Sequence, residues 1–207
     1  MVYAKRKNPG PSRPSHKNHI PPRKKAVFFK STIFVNVNIR HLPYNIAEQG
    51  VPDPHGVGLA RYRTPVAEDH VPVSLHGNLA LLVINGSVQV QAPTIAVSVA
   101  AGGLVLAAAG NYLFTETPAN GHYEAMQLYF SNELLTDFFI KYHGFLPGVA
   151  PAARRPLLAY APSDFLQRYA PSVEQTATPA KLEALLHHLL HLDAARLRSW
   201  QIVAAQD

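Results

Sequence analysis

The sequence has no cysteine and no uninterrupted apolar run of the roughly 18 residues that identify a membrane-spanning helix. The absence of cysteine excludes disulfides, thiolate catalysis and metal sites built on cysteine. The basic N-terminus is followed by no apolar stretch of about 7–15 residues, which a secretory signal requires. We therefore expect a cytoplasmic protein without a membrane segment.

Motifs for two common kinds of chemistry are also missing. No serine stands in Gly-x-Ser-x-Gly, the turn that exposes the nucleophile of many hydrolases. No Gly-x-x-x-x-Gly-Lys-Ser/Thr loop is present to bind phosphate through its backbone amides. We predict no catalytic residues, no cofactor and no enzyme activity.

The net charge of +6 comes from one end of the chain. Ten of the 19 Lys and Arg residues lie within residues 1–40, whereas the sequence from Glu48 onward carries nine basic and 13 acidic residues, a net charge of −4. Residues 1–25 contain five prolines and few apolar side chains, so we predict a disordered basic tail there. We interpret this segment first as a tail exposed to solvent, and weak electrostatic contact with DNA is the alternative.

Between residues 26 and 130 the hydrophobic pattern has a period of two, which is typical of strands. Runs of β-branched and aromatic residues are separated by Gly, Pro, Asn or Asp, and this spacing predicts a β-barrel or a β-sandwich. The predicted strands are 26–29, 32–39, 58–62, 71–75, 78–84, 87–91, 94–99, 104–108, 112–115 and 123–130.

Three turns are predicted between these strands. The sharpest signal is Asn85-Gly86, because both residues accept the positive φ that a type I′ hairpin requires. We therefore predict a hairpin that pairs the strands on either side. Further turns are predicted at Gly102-Gly103 and at Gly110-Asn111.

At Ser131 the pattern changes from strand to helix. Ser131 is a good N-cap, and Gly144 is the expected C′ residue that ends this helix. A proline-rich loop is predicted over 147–162, followed by a short helix over 163–169.

A longer helix is predicted to begin at Thr178-Pro179, where Thr caps and Pro takes the first helical position. Asp193 can cap one more helix over 194–205. The leucines of the longer helix form a stripe that either packs on the strands or meets a second copy of the chain. We assign them to a homodimer interface formed by Leu182, Leu185, Leu186 and Leu189.

The order of these motifs resembles the N-terminal domain of AraC-family transcription regulators, and most closely the ExsA-like branch. The likeness covers roughly residues 26–207, and each segment alone is only moderately specific. The segments that carry it are LALLVING at 79–86, AGGLVL at 101–106, GNY at 110–112, QLYFSNELLTDF at 127–138 and KLEALL at 181–186.

This resemblance implies a cupin-like double-stranded β-helix barrel over 26–130, followed by an α-helical dimerisation segment over 131–207. It implies a regulatory domain of a transcription activator, controlled by a partner protein or by a small-molecule effector. It also implies a C-terminal pair of helix-turn-helix motifs. After Trp200 the sequence offers no such pair, so we expect contact with promoter DNA only through a domain that these 207 residues lack.

A barrel of this kind either encloses a ligand or is filled by its own side chains. We name a candidate ligand pocket in the lumen on the basis of the alternating apolar residues of four predicted strands. Its members are Leu82, Ile84, Val97, Val99, Leu104, Leu106 and Phe114.

The alternative function is a metal-dependent or ligand-binding cupin that acts on a small molecule. Metal cupins place two His one residue apart on a strand, and no His-x-His occurs in this sequence. His122 and Glu124, with His70, are the remaining strand candidates, and we interpret them as surface polar residues. His187, His188 and His191 lack the Glu of a helical zinc-protease motif. We interpret these three as the polar border of the leucine stripe, with a proton-sensitive contact as the alternative, and predict no metal site.

Overall fold

The computed structural model describes residues 39–43, 56–145 and 155–204, all within the compact unit Val37–Asp207. The predicted basic tail over 1–25 and the predicted strand 26–29 lie outside the described residues, as does 32–39 except for Ile39. Of the helices in the described ranges, none is long and apolar enough to cross a membrane.

All eight strands predicted between residues 58 and 130 are found, with ends shifted by at most three residues. The described strands are β1 Arg40–Leu42, β2 Gly58–Thr64, β3 Glu68–Leu75, β4 Asn78–Asn85, β5 Ser87–Ala92, β6 Ile95–Ala100, β7 Leu104–Ala107, β8 Gly110–Thr117, β9 Tyr123–Phe130 and β10 Leu157–Tyr160. The helices are α1 Asn132–Lys141, α2 Asp164–Gln175 and α3 Pro179–Ala204.

The strands form two sheets of five. The first sheet has the order β1-β3-β8-β5-β6, and the second has the order β10-β7-β4-β9-β2. All neighbours are antiparallel except β1 and β3. From β1 to β5, and again from β6 to β9, each connection carries the chain to the opposite sheet. The prediction of a mostly β barrel followed by helices is confirmed.

The predicted hairpin at Asn85-Gly86 is wrong. β4 and β5 lie in different sheets, and the only tight hairpin joining consecutive described strands of one sheet is β5–β6, where Ala92 pairs with Ile95. Of the Asn-Gly pair only Gly86 has a positive φ, of 83°, so no type I′ turn forms. Gly86 is still required, because a Cβ there would collide with the carbonyl oxygen of Thr117.

The predicted turn at Gly102-Gly103 also carries the chain between sheets, whereas the turn predicted at Gly110-Asn111 is wrong, because these two residues begin β8. Gly102, with a φ of 84°, donates its N–H to Val83 O at 2.8 Å, and Ala101 donates its N–H to Gly86 O at 3.0 Å. The corner between β6 and β7 is therefore bonded directly to the corner between β4 and β5. Glycine signals of this kind mark sheet crossings in this fold, where the sequence alone suggests hairpins.

α1 begins where the sequence predicts. Ser131 is its N-cap, and its hydroxyl accepts a hydrogen bond from Leu134 N at 3.3 Å. The predicted end at Gly144 is wrong: Tyr142 is the C-cap, and a 3-10 turn then runs over His143–Phe145. Gly144 lies inside that turn and has no positive φ, so it plays no αL capping role.

The region after the first helix differs most from prediction. Within the predicted loop 147–162, β10 forms and pairs with β7 at the edge of the second sheet. α2 starts at its predicted cap, Ser163, but continues through Pro171 to Gln175. α3 starts at Pro179, and Asp193 interrupts it with φ −161° and ψ 84° while its carboxylate caps Arg196 N at 3.0 Å, as predicted.

Two hydrophobic cores share the second sheet. The barrel core lies between the two sheets and includes Leu81, Val105 and Tyr123 from the second sheet and Val90 and Phe114 from the first. The helix–sheet core lies on the other face of the second sheet, where its side chains pack with those of α1, α2 and α3. Alternate residues of each second-sheet strand therefore enter different cores.

Candidate functional site

The four leucines assigned to a dimer interface lie inside the chain. Leu182, Leu185, Leu186 and Leu189 belong to the helix–sheet core, and their exposed fractions lie between 0 and 2%. This placement corrects the interpretation of the leucine stripe, because the side chains pack on the strands and present no surface to a second copy.

The seven residues of the predicted lumen pocket separate into three groups. Val99 and Phe114 are in the barrel core, and Val97 packs against it. Ile84 is 37% exposed. The other three were assigned to the wrong face of their strands, because the second sheet is apolar on both faces and the sequence does not show which face is the lumen. Leu82, Leu104 and Leu106 lie in the helix–sheet core.

A cleft lies between the outer face of the second sheet and α2. It has a volume of about 260 Å³. Its walls are mostly apolar and include Leu82, Ile84 and Met126 from the sheet and Leu166 and Ala170 from α2. Two of the predicted pocket residues thus line an opening, but it is outside the barrel. The cleft is the best candidate for a ligand site in the described part of the chain.

Arg61 and Glu174 form the polar side of this cleft. The Arg61 guanidinium donates to the carboxylates of Glu124 and Glu174, and so connects β2 with β9 and with α2. Burial raises the pKa of Glu124, but hydrogen bonds from Arg61 and His122 outweigh that effect and hold the pKa below its usual value. The cleft therefore offers apolar walls with one charge-paired arginine at its edge.

The strand residues considered for a metal site are used in other ways. His122 Nε2 lies 3.1 Å from Glu124 Oε2, but that carboxylate is also bound by Arg61. His70 Nδ1 pairs with Asp69 at 2.6 Å. Within residues 39–43, 56–145 and 155–204, no group of three or more His, Asp or Glu is arranged to hold a metal ion.

A buried polar cluster lies at one end of the barrel core, and the sequence analysis missed it. Arg40 forms ion pairs with Glu68 and, at 3.3 Å, with Glu116, and its Nη2 donates to the Tyr62 hydroxyl at 3.2 Å. The Glu116 side chain is fully buried. The signal was present in β8, where Glu116 is two residues beyond Phe114 and so shares its inward face.

Burial raises the pKa of Glu116 to about 7, with Arg40 opposing the shift and the nearby carboxylate of Glu68 adding to it. Two carboxylates thus share one guanidinium, and the Glu116 carboxylate is the buried one of the two. This cluster is arranged to take up one proton near neutral pH.

The described helices also expose a patch of aromatic and apolar side chains where α1 ends beside α3. We call it the α1–α3 patch: Tyr142, Phe145, His187, His191 and Leu192. Ring contacts connect Tyr142 to His187, with centroids 5.0 Å apart, and Phe145 to His191, with centroids 6.2 Å apart. Phe145 and Leu192 are 58% and 56% exposed. Phe145 and the rings that it contacts thus form an exposed apolar surface, and Leu192 adds a second exposed apolar side chain next to His191 in the sequence.

Comparison with known proteins identifies a family and a fold. The family described as the ExsA N-terminal regulatory domain matches residues 78–199. Among solved structures, ToxT from Vibrio cholerae is similar, with a TM-score of 0.57 and 9% identity over 73% of this chain and 61% of that chain. No curated protein matches the sequence.

Two further ToxT structures hold small molecules. One, bound to (E)-4-(8-methylnaphthalen-1-yl)but-3-enoic acid, has a TM-score of 0.56 and 7% identity over 73% of this chain and 61% of that chain. The other, bound to an unsaturated fatty acid, has a TM-score of 0.50 and 10% identity over 68% of this chain and 57% of that chain. This chain spans about three-fifths of the ToxT chains, and at this identity the likeness concerns the fold.

Proposed function

The chain belongs to the ExsA N-terminal regulatory domain family, and from this we propose that it is the sensing and self-association module of an AraC-type transcription activator. The observation that carries the proposal is the family match over residues 78–199, which spans β4 through most of α3. In this role the chain performs no catalysis, and it acts in the cytoplasm on promoter DNA as part of the whole activator. We assign sensing mainly to 26–130 and association to 131–207.

The effector we propose is an apolar molecule that carries one carboxylate. The cleft has the matching chemistry, because Leu82, Ile84 and Met126 provide an apolar wall beside Arg61. The two ToxT ligands are both apolar carboxylic acids. On binding, the effector carboxylate replaces Glu174 as a partner of Arg61, since both are carboxylates within reach of one guanidinium.

A melting experiment tests the effector class. We expect an unsaturated fatty acid, kept below its micelle concentration, to raise the free energy of unfolding by about 2.7 kcal/mol when the free ligand is at 100 times its Kd. Arg61→Ala should weaken binding by roughly tenfold or more, because it removes a charge-assisted hydrogen bond worth about 1.5–3 kcal/mol.

Two controls make the result specific. Arg63→Ala changes the other exposed arginine of β2 and should leave the ligand shift unchanged. The alcohol of the same chain length should stabilise the protein far less than the acid. Equal shifts with acid and alcohol, or an unchanged acid shift in Arg61→Ala, would contradict the proposed effector chemistry.

We also propose that the module forms a homodimer through the α1–α3 patch. The patch is supported by its exposed Phe145 and Leu192 and by its position on the helices rather than on the barrel. A regulatory partner protein is the alternative occupant of this surface, and sedimentation of the isolated chain distinguishes the two. A concentration-dependent dimer supports self-association, and a monomer at every concentration contradicts it.

A further inference from the structure

Two histidines in the α1–α3 patch bring their ring nitrogens unusually close together. His187 and His191 are one turn apart on α3, and their Nε2 atoms are 3.3 Å apart. The rings are almost perpendicular, at 82°, with centroids only 4.4 Å apart. His191 is exposed and His187 is half-buried.

A second close histidine pair in this structure has a different ring geometry. His41 Nδ1 and His76 Nε2 are 3.1 Å apart, but their ring centroids are 5.4 Å apart and the planes differ by only 27°. Those rings lie end to end, as an N–H···N hydrogen bond requires. The rings of His187 and His191 instead meet almost at a right angle, with their Nε2 atoms also within hydrogen-bond distance of each other.

The separation of the two nitrogens fits a shared metal ion. Zinc binds imidazole nitrogen at about 2.0–2.1 Å in a tetrahedral arrangement, which places two such nitrogens roughly 3.3 Å apart. Histidines at positions i and i+4 of a helix are a spacing used by zinc sites.

The pair supplies only two of the four ligands that a closed zinc site needs. Among the described residues no third His, Asp or Glu completes the group. Glu183, one turn before His187 on the helix, is held by Lys141 Nζ and the Tyr142 hydroxyl, each at 2.6 Å from its Oε1. The described residues of one chain thus leave two ligand positions to be filled.

Phe145 lies against His191 and is 58% exposed, and Leu192, the next residue after His191, is 56% exposed, so both leave apolar surface uncovered. A second copy related by a two-fold axis through the pair would cover that surface, because such an interface places the same residues opposite each other. The same axis would bring a second His187–His191 pair to the ion and complete a tetrahedral set of four imidazoles.

We propose that His187 and His191 bind a zinc-class divalent ion and that a second copy completes the site with the same two residues. This inference rests on the proposed self-association through the α1–α3 patch. The ion closes the dimer across the patch, and the stability of the dimer then depends on metal supply.

The test measures zinc binding and assembly together on the chain without a histidine tag, at pH 7.5. Titration calorimetry should give one zinc per two chains. Sedimentation should show that zinc lowers the dimer dissociation constant at least tenfold relative to EDTA. Cobalt(II) in place of zinc should give the strong visible absorption of a tetrahedral site. His191→Ala and, separately, His187→Asn should abolish all three effects.

His143→Ala is the matched control, because it removes an exposed histidine beside Phe145 and should change nothing. One zinc per chain without dimerisation, or full binding in His191→Ala, would overturn the inference. A dimer that forms equally well in EDTA and takes up no zinc would also overturn it, while leaving the proposed self-association intact. Melting curves in EDTA verify that each variant is folded.

Discussion

Leu185→Glu is expected to unfold the chain, whereas Leu192→Glu on the same helix leaves the fold intact and weakens the dimer. Leu185 has an exposed fraction of 0% and Leu192 one of 56%. A carboxylate at position 185 would lie in the helix–sheet core without a partner, at a cost of about 4 kcal/mol or more. That cost is a large part of the roughly 5–15 kcal/mol that stabilises a domain.

Denaturant melts followed by circular dichroism measure the first effect, and sedimentation measures the second. Val66→Glu serves as the control, since Val66 is also an exposed apolar residue, at 63%, but lies between β2 and β3, away from the helices in sequence. A cooperative melt of Leu185→Glu within 1 kcal/mol of the parent would refute the buried placement of the leucine stripe. An unchanged dimer in Leu192→Glu would refute the proposed use of the α1–α3 patch.

Glu116→Gln is expected to make the chain more stable at alkaline pH and to remove a pH dependence. The folded state raises the pKa of Glu116 from 4.5 to about 7, so it favours the protonated form. The stability that this form provides is complete below pH 4.5 and is lost as the pH rises through 7. Because glutamine stays neutral, the variant should match the parent near pH 4.5 and exceed it by on the order of 3 kcal/mol at pH 8.

The measurement is the difference in unfolding free energy between variant and parent from pH 4.5 to 8. Burial lowers the pKa of His188, but any contribution from that shift is common to both proteins and cancels. Glu68→Gln is the comparison variant, because Glu68 shares Arg40 with Glu116 but is partly exposed. A difference in unfolding free energy between Glu116→Gln and the parent that does not change with pH would contradict the raised pKa of the buried Glu116 carboxyl.

Local features of this fold were readable from the sequence because local chemistry determines them. The caps Ser131, Ser163 and Thr178 and the break at Asp193 were found at the predicted positions, since side-chain oxygens satisfy free backbone amides there. The strands were found because β-branched runs between turn residues form strands wherever they finally pair.

The sequence does not reveal which strands pair, or which core each face of a strand enters. Gly86 predicts a positive φ correctly, but a sheet crossing and a hairpin both need one, and only the three-dimensional arrangement decides between them. Leu82 and Leu81 are equally apolar, yet they enter different cores. β10 was missed because it lies among prolines, and its short run pairs with a strand about fifty residues earlier in the chain.

The candidate sites were harder to predict for the same reason. The cleft combines β2, β4, β9 and α2, whose residues are separated by up to about a hundred positions. The buried cluster combines Arg40, Glu68 and Glu116 from three strands of the first sheet. Only Glu116 carries a signal in its own strand, as a charged residue in an inward position.

The burial of all eight residues of β9 has a consequence for how a signal could travel. This strand separates the barrel core from the helix–sheet core, and its side chains contribute to both. If a ligand in the cleft beneath α2 displaces β9, the side chains that pack against β9 inside the barrel must shift as well. Densely packed interiors do not absorb such a displacement locally. A strand that belongs to both cores can therefore transmit a structural change from one to the other without a hinge.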